Sequence, residues 1–420
     1  MALELAYKET DMTITMLANA NLLDVDSGAL IGERHVVVEN GRIREVSDRP
    51  VASPSAETIN LAGLTLMPGL IDSHVHIYAY TANLAELPRQ SPFYVAARAI
   101  ETLGGMADRG FTTVRDVGGG EFGMAQAVAE GRVRGPRIVY GGKALSPTAG
   151  HGDMRGMGQN ALDDGYHLAS LGRICDGVAA VRAAARDEVR RGAHHIKIMA
   201  NGGIASPTDR IDSDQFSEEE IVAIVDEAAM ANLYVVAHAY TARSIERTVR
   251  NGVRSIEHGN LIDEPTVSLM KEKGAFLVPT LATYRALADE GVEAGLPAAL
   301  AAKIDNVLDA GIRAVEMAHR AGVSMAYGTD LLGVMHRRQL TEFSLRGEVV
   351  PAADLIRAAT VTGATLLRME NEIGRVAPGY SADMIAFKGD PLADVSVMAG
   401  LDSNLRLVMG QGRVLRRTNI

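Results

Sequence analysis

Cysteine is almost missing from this sequence. Cys175 is the only one among 420 residues, so no disulfide can form within the chain, and metal sites built from several thiolates are excluded. We expect Cys175 to be a buried structural thiol. A metal bound by this chain would need nitrogen and oxygen ligands.

Long apolar runs and an excess of positive charge are missing as well. No run reaches the roughly 18 apolar residues of a membrane-spanning helix. Charges at Glu4, Lys8, Glu9 and Asp11 interrupt what would be the apolar core of a secretory signal. The net charge of −10 argues against nucleic acid or an anionic membrane as a partner. We therefore expect a cytoplasmic protein that acts on small molecules.

Glycine, in contrast, is abundant, with 43 residues, which favours a fold with many tight turns between strands and helices. Between about Leu64 and Asp330, short β-rich runs alternate with longer amphipathic stretches, a rhythm typical of parallel strands with crossover helices. Eight such runs predict a closed (β/α)8 TIM-like barrel. The predicted strands are Thr65 to His76, Phe111 to Asp116, Arg137 to Gly141, Ile196 to Asn201, Tyr234 to His238, Ser255 to His258, Ala275 to Thr280 and Ser324 to Asp330.

The two ends of the chain have a different pattern, of short alternating strands with turn residues between them. These strands are predicted at Thr13 to Asp24, His35 to Val46, Asp383 to Lys388 and Arg406 to Val414. We expect the ends to pair into one small β-sandwich domain. The predicted domains are thus residues 1–64 and 377–420 for the β-sandwich and residues 65–376 for the barrel.

Two helix starts can be predicted from local signals. Ser217 and Glu220 form a capping-box pattern before an apolar face. Ser91 and Pro92 have the pattern of a cap followed by proline at the first helical position, with Ile100 on the predicted inner face.

His74 and His76 are the first candidate metal ligands. Residues two apart on a strand face the same side, so both imidazoles could reach one ion. Two such histidines alone are weak evidence. His238, His258 and Asp330 strengthen it, because they also fall at the ends of predicted strands, where the side chains of a barrel converge.

Lys197 lies in the fourth predicted strand with apolar neighbours on both sides. Burial disfavours the ammonium form, lowers the pKa from about 10.4 and makes the amine nucleophilic. The neutral amine could take up carbon dioxide, and the resulting carbamate could bridge two cations. The alternative is a lysine paired with a barrel carboxylate.

Several motifs together resemble the amidohydrolase superfamily over nearly the whole chain. They are Pro68-Gly-Leu-Ile-Asp-Ser-His-Val-His76, Lys197, the later single histidines, Gly328-Thr-Asp330 and Gly379-Tyr-Ser-Ala-Asp-Met-Ile385. Four further motifs resemble its binuclear branch of Xaa-Pro and Xaa-Arg/Lys dipeptidases, imidazolonepropionase-like proteins and ochratoxin-hydrolysing amidases. These are Thr148-Ala-Gly-His151-Gly, Asn201-Gly-Gly-Ile-Ala-Ser-Pro207, His238-Ala-Tyr240 and Ile256-Glu-His258-Gly.

The resemblance implies a site with two divalent metal ions. His74, His76 and Asp330 would hold the first, His238 and His258 the second, and carboxylated Lys197 would bridge them. Zinc suits nitrogen and oxygen ligands with an open position. A homo-oligomer is also implied.

The same resemblance places His151 and Tyr240 near the substrate. The implied reaction is hydrolysis of an amide by a metal-bridging hydroxide, with Asp330 taking its proton and passing it to the leaving amine. The leaving group would be an amino acid with a free carboxylate, released from a dipeptide, an N-acyl amino acid or an ochratoxin A-type conjugate.

Two alternatives remain open at this point. One is a mononuclear imidazolone-type ring hydrolase or deaminase that uses Glu257 as its acid, against which Lys197 argues. The other is a non-catalytic scaffold with the same fold, against which the complete set of ligand positions argues.

Other residues carry less weight as site candidates. His195 could face the same interior as Lys197 or be a core histidine, and His336 could line the site or a surface loop. His194 has no clear role, and Asp116 is expected to be structural. The segment from Gly152 to Asp176 is expected to cover part of the pocket, with Met154, Met157 and Tyr166 suited to an apolar acyl group.

Overall fold

The computed structural model describes residues 14–51, 56–155, 169–301 and 304–418. The strands in these ranges are β1 Ile14–Asp24, β2 Ala29–Glu39, β3 Arg42–Ser47, β4 Glu57–Asn60, β5 Thr65–Pro68, β6 Leu70–Val75, β7 Phe111–Asp116, β8 Arg137–Tyr140, β9 Ala144–Ser146, β10 Gly172–Ile174, β11 Ile196–Met199, β12 Val235–Thr241, β13 Ser255–Leu261, β14 Phe276–Val278, β15 Met384–Phe387, β16 Leu405–Gly410 and β17 Arg413–Arg417. The helices are α1 Pro92–Asp108, α2 Phe122–Ala129, α3 Val178–Arg190, α4 Glu218–Met230, α5 Ala242–Arg250, α6 Glu264–Lys273, α7 Leu281–Glu290, α8 Ala298–Ala301, α9 Asp305–Ala321, α10 Thr341–Gly347, α11 Ala352–Ala358, α12 Val361–Leu366, α13 Ser396–Ala399 and α14 Leu401–Asn404. Short 3-10 helices cover Leu84–Arg89 and Gly333–Arg338.

Two parallel sheets form the centre of the α/β fold. One has the order β6-β7-β8 and the other the order β10-β9-β11-β12-β13-β14. Backbone hydrogen bonds outside the ladders link β8 and β6 to neighbouring segments of the chain. The amide of His194 donates to the carbonyl of Tyr140 over 2.8 Å, and the amide of Ser73 donates to the carbonyl of Tyr327 over 2.7 Å. These bonds extend the backbone contacts on both sides of the β6-β7-β8 sheet.

Two of the predicted strands differ in the structure. The run Thr65 to His76 is divided at Gly69, where a Cβ atom would lie 2.2 Å from the hydroxyl of Thr112. Its first part, β5, joins the sheet formed by the chain ends. The run Ser324 to Asp330 forms only an isolated bridge, between Leu277 and Met325. It builds no ladder because Tyr327 donates its amide to Ala358, outside any strand, and Asp330 has a left-handed backbone with φ 52°.

Strands from both ends of the chain pair in a third sheet. Its order is β17-β16-β15-β5-β1-β2-β3, with β4 paired to β1. Asn40 and Gly41, with φ of 50° and 80°, make the tight turn between β2 and β3. Thr13, the first residue of the first predicted strand, lies outside the described ranges. A separate apolar core, with Leu17, Val36 and Met384 among its members, fills one face of this sheet.

The helix signals are confirmed in part. Ser217 and Glu220 form both hydrogen bonds of the capping box at the start of α4. Pro92 is the first residue of α1, but the Ser91 side chain makes no capping hydrogen bond, and Ile100 is 44% exposed rather than buried. Within the described ranges, no helix combines the length and the apolar character needed to cross a lipid bilayer.

Candidate metal centre

Every ligand position predicted from the sequence lines one cavity. His74 is in β6 and His76 follows it, and the cavity has a free volume of about 50 Å³. The other members of the set are Lys197 on β11, His238 on β12, His258 on β13 and Asp330 in the segment between α9 and the 3-10 helix Gly333–Arg338. The structure thus brings together six side chains that lie up to 256 positions apart in the sequence, counted from His74 to Asp330.

The closest group is formed by His74, His258 and Asp330, whose ligand atoms all lie within 4.8 Å of one another. Asp330 Oδ1 is 3.3 Å from Nε2 of His74 and 3.3 Å from Nε2 of His76. The rings of His238 and His258 have centroids 4.6 Å apart. Neutral imidazoles and a carboxylate gathered in this way can hold a divalent cation.

Three of the four histidines are oriented by a contact to Nδ1. Nδ1 of His74 contacts Glu257 over 2.8 Å, that of His76 contacts the carbonyl of Gly118 over 2.9 Å, and that of His258 contacts the Thr280 hydroxyl over 2.8 Å. These contacts leave Nε2 free to bind a metal, since partners of this kind fix the tautomer of a ligand histidine.

His238 is oriented the other way round. Its Nε2 lies 3.2 Å from the carbonyl oxygen of Gly202, and a carbonyl can only accept. Nε2 therefore carries the hydrogen, and Nδ1 is the nitrogen left to bind a metal.

Glu257 is held behind His74 by a fully buried arginine. Arg115 donates to Oε1 of Glu257 over 2.8 Å and, through Nε, to the carbonyl of Ser73 over 2.6 Å. The hydroxyl of Ser255 also donates to Glu257. Burial raises the pKa of Glu257. The charge of Arg115 and the hydrogen bond from His74 lower the pKa by more, so that it lies well below its usual range. Glu257 is thus an ionised acceptor rather than a proton donor.

Lys197 is buried beside this network, with 1% of its surface exposed. Burial lowers its pKa to about 8, although the charges of Glu257 and Asp330 act in the opposite direction. Its amine forms no ion pair with a carboxylate of the described ranges, because Glu257 and Asp330 are bound to other groups. Part of the Lys197 population is therefore a neutral amine at physiological pH.

The protonation states of the other groups suit metal binding, which needs neutral histidine and ionised carboxylate. Burial holds the pKa values of His238 and His258 well below the usual range. For Asp330, burial raises the pKa, but the charge and hydrogen bond of His74 outweigh it. His76 is the exception: burial lowers its pKa, and the hydrogen bond and charge of Asp330 raise it by more. A metal cation bound to His76 in place of its second ring proton would lie beside the same Asp330 carboxylate.

His151 and Tyr240 also line the cavity. The His151 ring stacks on that of His238 with centroids 4.2 Å apart, and its Nδ1 lies 2.7 Å from the hydroxyl of Ser206. Gly203 makes this position possible, because a Cβ atom there would lie 2.0 Å from the His151 ring. The Tyr240 ring stacks on His258 with centroids 5.1 Å apart. Both side chains therefore border the ligand set.

Apolar side chains form much of the remaining wall of the cavity, which also includes Thr283 and Tyr284. The apolar side chains are Leu84, Met154, Leu171, Met199, Ile204, Leu287 and Leu332. Met154 was expected here, whereas Met157 and Tyr166 lie outside the described residues. An apolar wall beside a polar ligand set suits a substrate with an apolar portion next to its reacting group.

The remaining sequence candidates lie away from the cavity lining. His195 is fully buried and stacks on Tyr234, with centroids 5.6 Å apart. His194 packs edge-on against Tyr140. Burial lowers the pKa of His336 to about 3. Asp116 accepts hydrogen bonds from the backbone amides of residues 77, 118 and 120, a structural contact.

Comparison with known proteins places this geometry in a family. The profile of the amidohydrolase family matches residues 65–415. Ochratoxinase from Aspergillus niger is 35% identical over 350 residues, which are 79% of this chain and 72% of ochratoxinase.

Solved structures agree with this match over almost the full length. A prolidase complexed with N-methylphosphonate-L-proline has a TM-score of 0.94 and 47% identity, covering 97% of this chain and 100% of the other. A Xaa-Pro dipeptidase with bound methionine in the active site has a TM-score of 0.85 and 30% identity, covering 96% and 99%. The chain belongs to the amidohydrolase family and is a hydrolase.

Proposed function

We propose that this chain is a metal-dependent amidohydrolase that cleaves an amide bond and releases an amino acid with a free carboxylate. The observation that carries the proposal is the convergence of four histidines, Lys197 and Asp330 on one cavity. Candidate substrates are a dipeptide, an N-acyl amino acid and an ochratoxin A-type conjugate.

The residues fit two divalent cations, with zinc as the proposed ion. His74, His76 and Asp330 would hold one and His238 and His258 the other, bridged by Lys197 after carboxylation by carbon dioxide. The unpaired, buried amine of Lys197 supports that modification, because carbon dioxide reacts with neutral amines. When bound, the cations would polarise the amide carbonyl and lower the pKa of water to about 7.

The residues of the chain would then move the proton and orient the substrate. Asp330, ionised and 3.3 Å from two imidazoles, would accept a proton from the attacking water and deliver it to the leaving amine. His151 and Tyr240 would contact the carbonyl oxygen or the carboxylate of the leaving amino acid.

The relatives support the substrate class. The prolidase structure holds an L-proline phosphonate, the dipeptidase structure holds methionine, and ochratoxinase shares 35% of its aligned residues with this chain. The apolar wall with Leu84, Leu171 and Leu332 would suit the acyl portion of such an amide.

We also propose an eight-membered barrel. It would be formed by β6, β7, β8, β11, β12, β13 and β14 together with the segment 324–330, which takes the place of the eighth strand. The hydrogen bonds from His194 to Tyr140 and from Ser73 to Tyr327 support closure on both sides. The predicted division assigned residues 65–376 to the barrel and residues 1–64 and 377–420 to the β-sandwich. Because β5 pairs with strands of the chain ends, we propose that the barrel begins after Pro68. A homo-oligomer and a cytoplasmic location stay predictions.

A single-ion centre is the second candidate. His74, His258 and Asp330 by themselves surround one point, as a mononuclear ring hydrolase or deaminase would require. The ionised state of Glu257 argues against its use as the acid of that reaction.

The test is to incubate zinc-loaded protein, supplied with bicarbonate, with dipeptides, N-acyl amino acids and ochratoxin A. Released amino acids are measured by mass spectrometry and bound metal by elemental analysis. The matched controls are the same compounds with the carboxylate converted to a carboxamide. Release from the carboxylate forms with two metals per chain is the expected result. One metal per chain without release of an amino acid would favour the mononuclear candidate. A protein that binds no metal would favour the non-catalytic scaffold.

A further inference from the structure

Polar contacts lead from the proposed ligand His258 through Thr280 and Tyr284 to Tyr240, and we call these four side chains the path. Nδ1 of His258 contacts the Thr280 hydroxyl over 2.8 Å. Thr280 directly precedes α7, and Tyr284 lies one turn into that helix. Burial raises the pKa of the Tyr284 phenol, and the side chain of Thr280 lowers it in part. The Tyr284 hydroxyl donates to that of Tyr240 over 3.0 Å. Exposed fractions of 3%, 0%, 1% and 3% for His258, Thr280, Tyr284 and Tyr240 keep bulk water from competing with these contacts.

The backbone at Thr280 is an independent sign that this path is built for a purpose. Its φ of 52° lies in the left-handed region, which β-branched residues rarely adopt. Strain of this kind persists only where the surrounding structure demands it, and it is concentrated at functional sites. Here it places one hydroxyl between His258 and Tyr284.

Hydrogen-bond chemistry gives the path a direction. A metal on Nε2 of His258 leaves the hydrogen on Nδ1, so Thr280 must accept from the imidazole. Thr280 then has its own proton to donate to Tyr284, and Tyr284 has its proton to donate to Tyr240. The Tyr240 oxygen is thereby used as an acceptor, and its proton is left for the cavity.

We propose that Thr280 and Tyr284 are positioning residues that make Tyr240 an obligate hydrogen-bond donor toward the substrate once a metal is bound to His258. An obligate donor recognises an acceptor, which means a carboxylate or the oxyanion that develops from the amide carbonyl, and it discriminates against an amine that must donate. The inference rests on the proposed function for the identity of the substrate group, but not for the direction of the path.

The first test concerns the metal end of the path and needs no substrate. Zinc affinity is measured by competition with a chromophoric chelator for the wild type, Thr280→Val and Thr280→Ser. Valine keeps the β-branched shape but removes the acceptor, and we expect its affinity to fall by about 10- to 100-fold at one site. Serine keeps the hydroxyl, and the variant should stay within about threefold of the wild type. Equal zinc affinity in Thr280→Val would overturn the link to the metal.

The second test reads the direction of the path itself. Neutron diffraction from deuterated, zinc-loaded crystals should show one deuteron between Tyr284 and Tyr240 that belongs to Tyr284, and the Tyr240 deuteron pointing into the cavity. A Tyr240 deuteron directed at Tyr284 would overturn the proposal. Neither outcome depends on whether an amide substrate has been found.

The third test is a double-mutant cycle on kcat/KM with an amide from the panel that is hydrolysed. Tyr284→Phe should lower kcat/KM by about tenfold in the wild type and by less than twofold in Tyr240→Phe, because its effect passes through Tyr240. Tyr140→Phe, which removes a buried hydroxyl bonded to the carbonyl of Arg191, is the matched control. If Tyr284→Phe lowered kcat/KM equally in the wild type and in Tyr240→Phe, the proposal would be overturned. If no amide of the panel were hydrolysed, that result would count against the proposed function alone.

Discussion

Nδ1 of His74 lies 2.8 Å from Oε2 of Glu257, and both side chains are buried to at least 99%. The carboxylate is ionised and can only accept, so His74 carries a hydrogen on Nδ1, and Nε2 is the nitrogen that could bind a metal. Arg115 neutralises the carboxylate from the opposite side. One buried ion pair therefore sets the tautomer of a proposed metal ligand.

Glu257→Gln should weaken zinc binding. The neutral amide binds the imidazole hydrogen less strongly and leaves Arg115 without its counter-charge, so we expect the affinity to fall by about 10- to 100-fold. Glu246→Gln is the matched control, since it breaks an exposed pair with Arg250. Chelator competition measures both variants, and unchanged zinc affinity in Glu257→Gln would show that Glu257 does not orient His74.

Asp330→Asn should lower kcat by about 10²- to 10⁴-fold, because asparagine cannot accept the proton of the attacking water. Steady-state rates are compared at equal metal content, determined by elemental analysis. A variant that keeps its metal and near-normal turnover would contradict the role assigned to Asp330.

Lys197→Ala should lose metal and activity together, because the proposed bridging carboxylate could no longer form. Acetate or formate can enter the space that the side chain leaves, and we expect either anion to restore part of both. The same anions should not alter the wild type. If Lys197→Ala kept two metals without added carboxylate, the bridging role would be wrong.

Glu342 should make the protein less stable as the pH rises. Burial raises its pKa to about 8, and the charge of Arg346 offsets this only in part. The folded state therefore holds the Glu342 proton more tightly than the unfolded state, in which the pKa of this side chain is near its ordinary value of 4.5. The stabilisation of the folded state that depends on this proton is fully present below about pH 4.5 and is lost progressively up to about pH 8. It amounts to at most roughly 5 kcal/mol in the free energy of unfolding.

Glu342→Gln tests this assignment, because glutamine can still accept from the amide of Ala282 but does not ionise. Urea unfolding of both proteins between pH 5 and pH 8.5 should give a shallower decline in the free energy of unfolding for the variant. Parallel curves would show that Glu342 does not titrate in this range.

Cys175 should not react in the native protein. Burial raises the pKa of its thiol to about 12, and the thiolate is the reactive form. We expect negligible labelling by a disulfide reagent at pH 8 and one equivalent per chain after unfolding in guanidinium. Rapid labelling of the folded protein would contradict the burial of Cys175.

Strand periodicity accounts for what the sequence could predict of the site. His74 and His76 lie two apart and were therefore predicted to share a side. The predicted strands ended at His238 and His258, whereas β12 and β13 each continue for three more residues. The capping box at Ser217 was predictable for a similar reason, since its signal lies within four residues. Such patterns depend on local geometry alone.

Residues that act through tertiary contacts were missed. The only sequence signal for Arg115 was a cation within a predicted strand of the barrel. The strand was predicted to end at the next residue, Asp116, so Arg115 was not singled out. Thr280 left none, because its left-handed backbone and its position between His258 and Tyr284 depend on elements far apart in the sequence. The eighth predicted strand was wrong for the same reason, since Tyr327 bonds to Ala358.

The β5 strand, Thr65–Pro68, lies between β1 and β15 in the sheet of the chain ends. Its partner β15 begins at Met384, so about 300 residues must be synthesised before this edge is covered. At about 5 to 20 residues per second, the ribosome takes roughly 15 to 60 s over that distance. An uncovered strand edge is a template for pairing with another chain. Nascent chains on one messenger RNA would therefore be prone to pair with each other through the uncovered edge of β5.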